Sequence, residues 1–395
     1  MAARQKVFVV GTDEAGYGPN LGPLVVGASC WQIETNAPFG DGFLAFGDSP
    51  QNADAKQVKK KKKKSAPTGP TLFDLERRRD ASDPDATRRL IERLNAGLAP
   101  IADRKGLFPL VDSKKLYGAS KSLAALERSF WLAAAFIDAN ALTGASFRSV
   151  LQRVARESED DPAPPWEDGF DAALPLDHKT GAASGLLETL PQIRERLDAE
   201  KIDLVDISAR RVQPGEFNAL VDRLGLKSDL IANVTLSAAV ETVARTSGAE
   251  KEPVYVVLCD KLGGRDRYAP ILAERFPGAE LRVLKESRET SVYRLVAEAG
   301  RDRTDASVAF RAPVKLEFHF TAKGESNAPT ALASICAKYL RELSMKAFNG
   351  YWRDAVGPEL APTAGYPVDA LRFRADVDAT RVKLGVSEDA FWRKK

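Results

Sequence analysis

Runs of apolar residues interrupted by polar ones predict several strands along this chain. Residues 6–34 fit two strands, the second from Leu24 to Ile33, joined by a turn that holds Asp13 and Glu14. Val254 to Cys259 is an uninterrupted apolar run, which is typical of a strand at the centre of a sheet. Two shorter strands are predicted, at 204–209 and 281–284.

Apolar residues at helical spacing predict helices between these strands. In 120–140, Leu123, Leu126 and Phe130 recur at intervals that place them on one helix face. Asp112 to Lys115 then lie in the loop that leads to this helix. Three more helices are predicted: 184–199, a helix that begins at Asn233, and 328–348.

Two stretches have no regular period and are expected to be irregular inserts. Residues 36–106 are rich in Pro, Gly, Asp and Lys and include six consecutive lysines, Lys59 to Lys64, while 157–185 is rich in Asp, Pro and Gly. A lysine run is usually a solvated tether, although it attracts nucleic acid in a salt-sensitive way. Without these six lysines the net charge falls from +3 to −3, so any nucleic-acid-binding surface must be a local patch.

Composition excludes several classes of protein. No apolar stretch is long enough to span a bilayer, and the N-terminus lacks the basic-then-apolar pattern of a signal peptide. The three cysteines are widely spaced and form no disulfide or zinc pattern, which points to a reducing compartment, and we expect a cytoplasmic protein. His178 and His319 are the only histidines, so carboxylates must do any metal binding.

Asp13 and Glu14 are adjacent acids between an apolar run and a glycine-rich segment that ends at Pro19. Neighbouring bare carboxylates repel each other, and a divalent cation removes that repulsion. Hard ions such as Mg²⁺ and Mn²⁺ take oxygen ligands and usually keep waters and substrate phosphates as well. The glycines would let a nucleic-acid strand approach the backbone closely. The alternative interpretation is an ordinary surface turn after a strand.

Four segments, taken in order, resemble the signatures of the type 2 ribonucleases H, the ribonuclease HII family. That family opens with Asp-Glu-Ala-Gly-Arg-Gly-Pro and a later Gly-Pro pair, continues with Asp-Ser-Lys-Lys-Leu, and carries Ala-Ser-Ile-x-Ala-Lys on a late helix. The matching segments here are Asp13–Pro19 with Gly22–Ala28, Asp112–Leu116, Val254–Asp260, and Ala333–Glu342 preceded by Lys323–Glu325. The resemblance leaves the inserts and the tail after Phe373 unexplained.

The resemblance implies an α/β protein of the ribonuclease H-like fold, with a mixed central sheet flanked by helices and a smaller C-terminal helical lobe. We expect a catalytic domain over 1–350, interrupted by the two inserts, and a C-terminal extension over 351–395 that completes the substrate groove. The implied activity is hydrolysis of the RNA strand of RNA–DNA hybrids, or hydrolysis at ribonucleotides embedded in DNA. The products would carry 3′-hydroxyl and 5′-phosphate ends.

The resemblance further implies that two divalent ions, Mg²⁺ or Mn²⁺, are held by Asp13, Glu14, Asp260 and Glu342, with Asp13 bridging the two. Such a pair of ions makes a water nucleophilic, stabilises charge on phosphorus and assists the leaving oxygen. Asp260 could instead begin an ordinary turn. Glu342 stands where the family has Asp, and its alternative is a solvated helix-face residue paired with Arg or Lys.

The residues expected to bind an RNA–DNA hybrid or ribonucleotide-containing DNA are Gly16, Tyr17, Gly18, Ser113, Lys114, Lys115, Lys323, Lys338 and Tyr366. The first three replace the family's Gly-Arg-Gly, whose backbone grips the ribose 2′-hydroxyl, a contact by which a protein distinguishes RNA from DNA. The lysines would face phosphates. Tyr366 would stack on the sugar, unless it is a buried tyrosine at a turn. The histidine that the family carries beyond this tyrosine has no counterpart.

Three other functions fit parts of the sequence. A dinucleotide-binding fold is disfavoured, because the third glycine is Gly22 and a strand follows it. A nucleic-acid-binding protein without turnover is suggested by Tyr17, Glu342 and the inserts, while the four matched acids argue against it. A related metal-dependent nuclease that acts on DNA junctions is the third. The sequence indicates no particular protein partner, oligomeric state or preferred metal.

Overall fold

The computed structural model describes residues 5–35, 86–103, 105–118, 123–157, 163–176, 186, 188–248, 253–301, 309–322 and 327–394. Three features singled out in the sequence, Lys59–Lys64, His178 and Lys323, lie outside these ranges, and the expectations for them stay predictions. Within the described ranges, no helix combines the length and the hydropathy that crossing a membrane requires.

The strands are β1 (Gln5–Ala15), β2 (Leu24–Thr35), β3 (Ile202–Val212), β4 (Val254–Asp260), β5 (Arg282–Glu286), β6 (Thr290–Ala297), β7 (Gly300–Arg301), β8 (Ala309–Phe310) and β9 (Val314–Thr321). Seven of them form one mixed sheet in the order β3-β2-β1-β4-β9-β6-β5, and β7 pairs with β8. The strands β1, β2 and β3 form an antiparallel meander. The strands β4 and β9 run parallel to β1, and the antiparallel pair β6 and β5 completes the other edge.

The α-helices of the described ranges are α1 (Ala86–Ala102), α2 (Ser113–Tyr117), α3 (Ala124–Ile137), α4 (Phe147–Val150), α5 (Leu190–Glu200), α6 (Pro214–Leu224), α7 (Lys227–Thr246), α8 (Ala269–Arg275), α9 (Ala328–Val356), α10 (Pro367–Lys383) and α11 (Glu388–Phe391). A short π-helical stretch, Leu151–Ala155, continues α4. The longest helix, α9, lies across one face of β1 and β2.

The sheet is buried on both faces because alternate residues of its central strands face two apolar layers. On β1, Val7 and Val9 pack in one cluster with residues of α3 and α9. Phe8 and Val10 pack in the other cluster, with residues of α7. Burial on both faces explains why β4 is a continuous apolar run rather than an alternating one.

A third apolar cluster forms a smaller lobe at the C-terminal end of the chain. It joins Leu21 to Phe348 and Trp352 near the end of α9, and to Phe373 of α10 and Phe391 of α11. This lobe therefore packs directly on the segment that follows β1. The α/β fold, with a mixed central sheet flanked by helices and a smaller C-terminal helical lobe, is confirmed.

Glycines in the sheet allow α9 to approach it very closely. A Cβ placed on Gly11 of β1 would lie 2.2 Å from the backbone carbon of Pro329. A Cβ on Gly27 of β2 would lie 2.1 Å from the carbonyl oxygen of Ala333. Since real Cβ atoms essentially never come closer than 3.0 Å, only glycine fits at either position. These two contacts fix the height of α9 above the strands.

Several elements differ from the sequence-based expectations. The predicted turn at Asp13 and Glu14 is wrong, because both acids belong to β1, which is paired with β2 through to Ala15. Part of the stretch expected to be irregular, 36–106, is helical. In α1, residues Leu90, Leu94 and Leu98 recur every four positions and are buried against the core, so packing outweighs the polar composition around them.

Other boundaries also moved. The segment after Asp112 is not a loop, because the Asp112 carboxylate caps the short helix α2 by accepting hydrogen bonds from the Lys114 and Lys115 amides. The helix expected to begin at Asn233 begins at Lys227. The strands β6 and β9 were not predicted. In β9, apolar and polar residues alternate from Val314 to Phe320, which is itself a local signal for a strand. In β6 the pattern is irregular, and the pairing with β9 supplies what the local pattern lacks.

Candidate active site

Asp13, two residues before the end of β1, and Asp260, the last residue of the neighbouring parallel strand β4, lie on the same face of the sheet. The register pairs Thr12 of β1 with Cys259 of β4, and each acid is the next residue of its strand. The Thr12 hydroxyl lies 3.2 Å from the Cys259 sulfur, so these two side chains share one face and the following acids share the other. Two carboxylates from distant parts of the chain therefore meet at one sheet edge.

The face that Asp13 shares with Asp260 is the one covered by α9. Asp13 is paired across the sheet with Gly27, the residue whose missing side chain makes room for Ala333 of α9. Ser29, two residues further along β2, donates a hydrogen bond of 2.8 Å to the Pro329 carbonyl oxygen on the same helix. Asp13 is only 6% exposed, so its carboxylate is taken largely out of bulk water.

Glu14 lies on the opposite side of β1 from Asp13, because successive side chains of a strand point to opposite faces. Its partner across the sheet is Val26, which packs in the cluster beneath α7. Burial, together with the nearby charges of Asp260 and Glu14, raises the pKa of the Cys259 thiol to about 12. Glu14 and Asp260 thus both lie near Cys259, but Glu14 does not share a face with Asp13.

Glu342 of α9 is held by a lysine and a tyrosine. The Lys338 ammonium, one helical turn earlier, donates to one carboxylate oxygen at 2.5 Å. The Tyr117 hydroxyl of α2 donates to the other at 2.9 Å. The Lys338 ammonium also lies 4.6 Å from the centre of the Tyr117 ring, a cation–π contact. The pairing expected of a helix-face glutamate is present, together with a tyrosine that the sequence did not suggest.

The helix α2 rests against α9 and leaves two lysines exposed. The Ser334 hydroxyl of α9 donates to the Ser113 hydroxyl at 2.8 Å, and both side chains are buried. Lys114 and Lys115 follow in the same turn and are exposed. Ser113 is therefore a packing contact between two helices, whereas the two lysines are accessible to a ligand.

Burial raises the pKa of Tyr117, and both the charge of Glu342 and the hydrogen bond to it raise that pKa further. The hydroxyl therefore stays protonated and remains a donor to the carboxylate. Tyr117 directly follows the segment that resembles the family's Asp-Ser-Lys-Lys-Leu. The only sequence signal for it was that position, because the contact with Glu342 joins residues 225 positions apart.

The segment Gly16–Gly18 leaves the end of β1 as an exposed loop. Gly16 has a positive φ of +88°, and a Cβ there would lie 2.4 Å from the Nε atom of Arg341, so glycine is required. Gly18 is exposed and Tyr17 is half-buried. Neither the Tyr17 nor the Gly18 amide donates to any other group in the described part of the chain. Two consecutive backbone donors are thus available to a ligand.

The Tyr17 side chain packs away from the exposed Gly18 and against the α6–α7 side of the sheet. The Lys227 ammonium lies 4.9 Å from the centre of its ring. A Cβ on Gly263, just beyond β4, would lie 3.7 Å from the Tyr17 hydroxyl oxygen. Burial raises the pKa of Tyr17, and the neighbouring Glu14 carboxylate raises it further. The Tyr17 ring thus packs against the protein, and the Tyr17 backbone faces the space around the loop.

Arg341 links the loop to the remaining candidates. Its guanidinium is 2% exposed, lies under Gly16, donates to the Ala364 carbonyl oxygen at 3.1 Å and sits 3.9 Å from Glu342. Burial lowers the pKa of Arg341, while the charges of Glu342, Tyr366 and Tyr117 act in the opposite direction. Tyr366 itself is 53% exposed, and a Cβ on Gly18 would lie 3.8 Å from its ring.

These contacts bring most of the predicted residues to one region. The region is the start of the loop Gly16–Gly18, and around it lie Asp13, Asp260, Glu342 and Tyr366. Lys114, Lys115 and Lys338 belong to the adjoining helices α2 and α9, and Lys323 lies outside the described residues. The sequence did not suggest Tyr117 or Arg341, nor Arg393, whose guanidinium reaches the same loop from the C-terminal tail.

The acids of the site offer the oxygen ligands that a hard divalent ion prefers, but only some of these acids lie on the same face. Asp13 and Asp260 are carboxylates on one face, which is what such an ion needs. Within the described ranges, no three Asp, Glu, His or Cys side chains form a group that could hold an ion as they stand. Two positions account for this. Glu14 lies on the other face of β1, and the Glu342 carboxylate is paired with the Lys338 ammonium. Asp13 and Asp260 are thus the two acids on one face that could share an ion, whereas the full set of four requires Glu342 to leave the lysine and Glu14 to reach from the opposite face.

Comparisons with known proteins return solved structures only. No family model and no curated protein matches the chain. A structure of Bst-RNase HIII in complex with Mn²⁺ is 13% identical with a TM-score of 0.37, and the match covers 98% of this chain and 66% of that one. The ribonuclease H2 from Pyrococcus horikoshii OT3 is 14% identical with a TM-score of 0.33, covering 98% and 92%.

A third structure, the PCNA:RNase HII complex from Archaeoglobus fulgidus, is 12% identical with a TM-score of 0.32, covering 98% of this chain and 95% of that chain. The chain thus spans 66% of the length of the Mn²⁺-bound protein. By its own sheet and helices the chain is an α/β protein with a mixed central sheet flanked by helices. Its chemistry has to be argued from its own residues, since the likeness in these comparisons is distant.

Proposed function

We propose that this chain is a metal-dependent endonuclease of the type 2 ribonuclease H kind. It would hydrolyse the RNA strand of RNA–DNA hybrids, or the backbone at ribonucleotides embedded in DNA, leaving 3′-hydroxyl and 5′-phosphate ends. One observation carries the proposal: Asp13 and Asp260 lie on one face near the C-terminal ends of adjacent parallel strands, close to a loop whose Tyr17 and Gly18 amides have no partner within the described ranges. Acids and free donors at one edge suit a phosphodiester next to a ribose.

Asp13, Asp260, Glu14 and Glu342 would hold two ions, Mg²⁺ or Mn²⁺, and Glu14 would have to reach them from the opposite face of β1. Bound there, the ions would activate the attacking water and stabilise the charge that develops on phosphorus. The burial of Asp13 at 6% exposure supports this role, because a carboxylate out of water binds a cation more strongly than an exposed one. Glu342 would have to exchange Lys338 for an ion.

The other residues would bind and orient the nucleic acid. The amides of Tyr17 and Gly18 would face the ribose 2′-hydroxyl, which separates RNA from DNA at that position. Lys114 and Lys115, both exposed on α2, would contact phosphates, and we propose the same for Lys323 and Lys338. The half-exposed ring of Tyr366 would stack on the sugar at the junction.

We also propose that 1–350 form one catalytic domain with inserts and that 351–395 complete the substrate groove. The third apolar cluster supports this division, because α10 and α11 pack on Leu21 and thereby adjoin the loop at Gly16–Gly18. Tyr366 belongs to the same C-terminal part. The groove would then lie between the C-terminal lobe and the helices α2 and α9.

The test is cleavage of three duplexes in the presence of Mg²⁺ or Mn²⁺. They are DNA with one ribonucleotide, a full RNA–DNA hybrid, and all-DNA. We expect the wild-type chain to cut only the first two, and Asp13→Asn to cut neither while it still binds them. The matched control is Asp354→Asn, the same substitution at an acid whose side chain is 78% exposed near the end of α9.

Wild-type activity retained by Asp13→Asn would overturn the proposed site. Cutting of the all-DNA duplex at a similar rate would point instead to a metal-dependent DNA nuclease. Equal loss in both variants would indicate that the substitutions act on the fold. The 3′-hydroxyl and 5′-phosphate ends are checked by whether a ligase or a phosphatase accepts the products.

A second candidate function has its own support. The hydrogen bonds of Glu342 to Lys338 and Tyr117 satisfy this carboxylate without any ion. A chain in which that pairing persists would bind ribonucleotide-containing duplexes and not cut them. In the same experiment this candidate is favoured if the wild type binds tightly and leaves every duplex intact with either metal.

A further inference from the structure

The last residues of the chain are clamped to the segment that follows β1. The Arg393 amide donates to the Asn20 carbonyl oxygen at 2.9 Å, and the Asn20 side-chain amide donates back to the Arg393 carbonyl oxygen at 3.2 Å. On the other side, Asn218 of α6 donates to the Trp392 carbonyl oxygen at 2.9 Å and accepts from the Lys394 amide at 2.8 Å. The backbone around Arg393 is thus fixed from both sides.

This clamp places the Arg393 guanidinium underneath the loop. Its Nη2 atom donates to the Gly16 carbonyl oxygen at 2.7 Å and also to the Pro19 carbonyl oxygen. One nitrogen therefore spans both ends of the segment that contains Tyr17 and Gly18. The plane of the guanidinium stacks on the Phe217 ring, 4.7 Å from its centre, which fixes the side chain's direction.

Arg393 is an expensive residue to bury in this place. It is 0% exposed and forms no ion pair within the described ranges, and its Nε and Nη1 atoms have no hydrogen-bond partner there. Burial, followed by the repulsion of the neighbouring Arg341, lowers the pKa of Arg393 to about 9. A buried charge without a countercharge destabilises a fold. Stability alone therefore does not account for an arginine here.

The geometry of the peptide bond shows what Arg393 achieves. In a trans peptide the C=O and the following N–H lie in one plane and point in opposite directions. Since the Gly16 carbonyl is turned down to Arg393, the Tyr17 N–H is turned away from it. That N–H has no partner within the described ranges. The positive φ of Gly16, +88°, makes this orientation accessible.

We propose that Arg393 is a positioning residue that holds the Gly16–Tyr17 peptide with the Tyr17 N–H directed toward the substrate, so that this N–H can donate to a ribose 2′-hydroxyl. This deepens the proposed function and rests on it. The tail of the chain becomes part of the machinery that distinguishes RNA from DNA. A ribose can accept this hydrogen bond, and a deoxyribose cannot because it lacks the 2′-hydroxyl. The resulting difference in binding free energy is the source of the specificity.

The first test is amide hydrogen exchange of the full-length protein. We expect Arg393→Met, which keeps the volume and removes every side-chain donor, to speed exchange in peptides that span residues 16–22, through the Asn20 and Leu21 amides, which donate to the Gly365 carbonyl oxygen and are the protected amides of this segment. The matched control is Lys394→Ala, the next residue, whose exposed ammonium pairs with Asp222 and does not touch the loop. Unchanged exchange of these peptides in Arg393→Met would overturn the proposal, whatever the chain binds.

The second test measures ribose discrimination, with Asp13→Asn as the parent so that nothing is cut. The ratio of Kd values for all-DNA duplex and for the same duplex with one ribonucleotide is compared in the parent, with Arg393→Met added, and with Lys394→Ala added. We expect the ratio to fall on the order of fivefold with Arg393→Met, the loss of about one hydrogen bond. Lys394→Ala should leave the ratio unchanged.

The two kinds of failure are distinguishable. A parent that binds both duplexes equally refutes ribose reading itself, and with it both proposals. A parent that discriminates, together with an Arg393→Met variant that discriminates equally well, refutes only the role of Arg393. A purely structural arginine would leave the ratio unchanged, whatever its replacement does to the melting temperature. We expect the ratio to fall. The melting temperature reflects two opposing changes, because Arg393→Met removes a buried charge and also takes the donor away from the Gly16 and Pro19 carbonyl oxygens. Should Arg393→Met not fold, Arg393→Leu, which also has no side-chain donor, carries the same expectations.

Discussion

The close approach of α9 to the sheet makes Gly27→Ala the most informative single substitution for the position of the acids. Gly27 of β2 is paired with Asp13 of β1, and the φ of Gly27 is one that any residue can adopt. The reason for glycine is space alone, because the new methyl group would lie 2.1 Å from the Ala333 carbonyl oxygen and 3.1 Å from the Ala337 amide. Both groups are helical backbone, which cannot rotate away as a side chain does.

The magnitude follows from that distance. To bring the contact from 2.1 Å to the 3.0 Å that real Cβ atoms respect, α9 or β2 must move by about 0.9 Å. Overpacking of this kind costs about 1–3 kcal/mol of stability. The same helix carries Lys338 and Glu342, so its shift moves them away from Asp13. A displacement of about 1 Å at a reacting centre can cost on the order of 100-fold in rate.

The assay pairs urea unfolding with cleavage of a duplex that carries one ribonucleotide. We expect a lower urea midpoint, with an unchanged slope of the unfolding free energy against urea concentration. We also expect kcat to fall by a larger factor than the loss of folded protein explains. The matched control is Gly350→Ala in the same helix, where an added Cβ meets nothing within 4 Å. This control should stabilise the chain by about 0.5–1 kcal/mol through helix propensity. A Gly27→Ala variant as stable as wild type would refute the tight packing.

Two further substitutions test the site and the core. Tyr117→Phe removes the donor to Glu342, and we expect kcat/KM to fall on the order of tenfold while the melting temperature is nearly unchanged; an unaltered kcat/KM would contradict this role. Glu317→Gln removes the buried partner of Arg294 and should cost about 3 kcal/mol at neutral pH. Burial raises the pKa of Glu317, but the hydrogen bond from His319 and the charges of His319 and Arg294 hold that pKa below its usual 4.5. The stabilisation that ionised Glu317 provides is therefore complete above pH 4.5, and it is lost as the pH falls through the folded-state pKa. Urea unfolding across acid pH measures this, and a difference from wild type that does not depend on pH would contradict it.

Local patterns were enough to predict the end of β4 but not that of β1. In β4 a continuous apolar run, which needs burial on both sides, is followed directly by Asp260, whereas in β1 Gly11 and Thr12 separate such a run from Asp13. The contrast placed Asp260 at the end of its strand, while β1 continues for two residues beyond Asp13. Their meeting on one face follows only from the parallel pairing of β1 with β4, which joins segments far apart in the sequence.

The separation of Glu14 from Asp13 could have been predicted and was not. Adjacent residues of a strand point to opposite faces, but the glycines after Glu14 suggested that the strand had already ended. The same reliance on composition hid α1, whose leucines have a clear helical period within a polar stretch. Tyr117 and Arg393 are different. Their partners lie 225 and 377 positions away, so no local pattern contains them.

The catalytic and the non-catalytic candidate functions differ in one physical respect, the partner of Glu342. Lys338 now holds this carboxylate at 2.5 Å, and both side chains are about one-fifth exposed. The lysine can therefore turn into solvent, where an ammonium is well hydrated. A divalent ion carries twice the charge of the ammonium, and it would interact with Asp13 and Asp260 as well as with Glu342. If the acids hold ions as proposed, this larger attraction would favour the exchange of partners by Glu342.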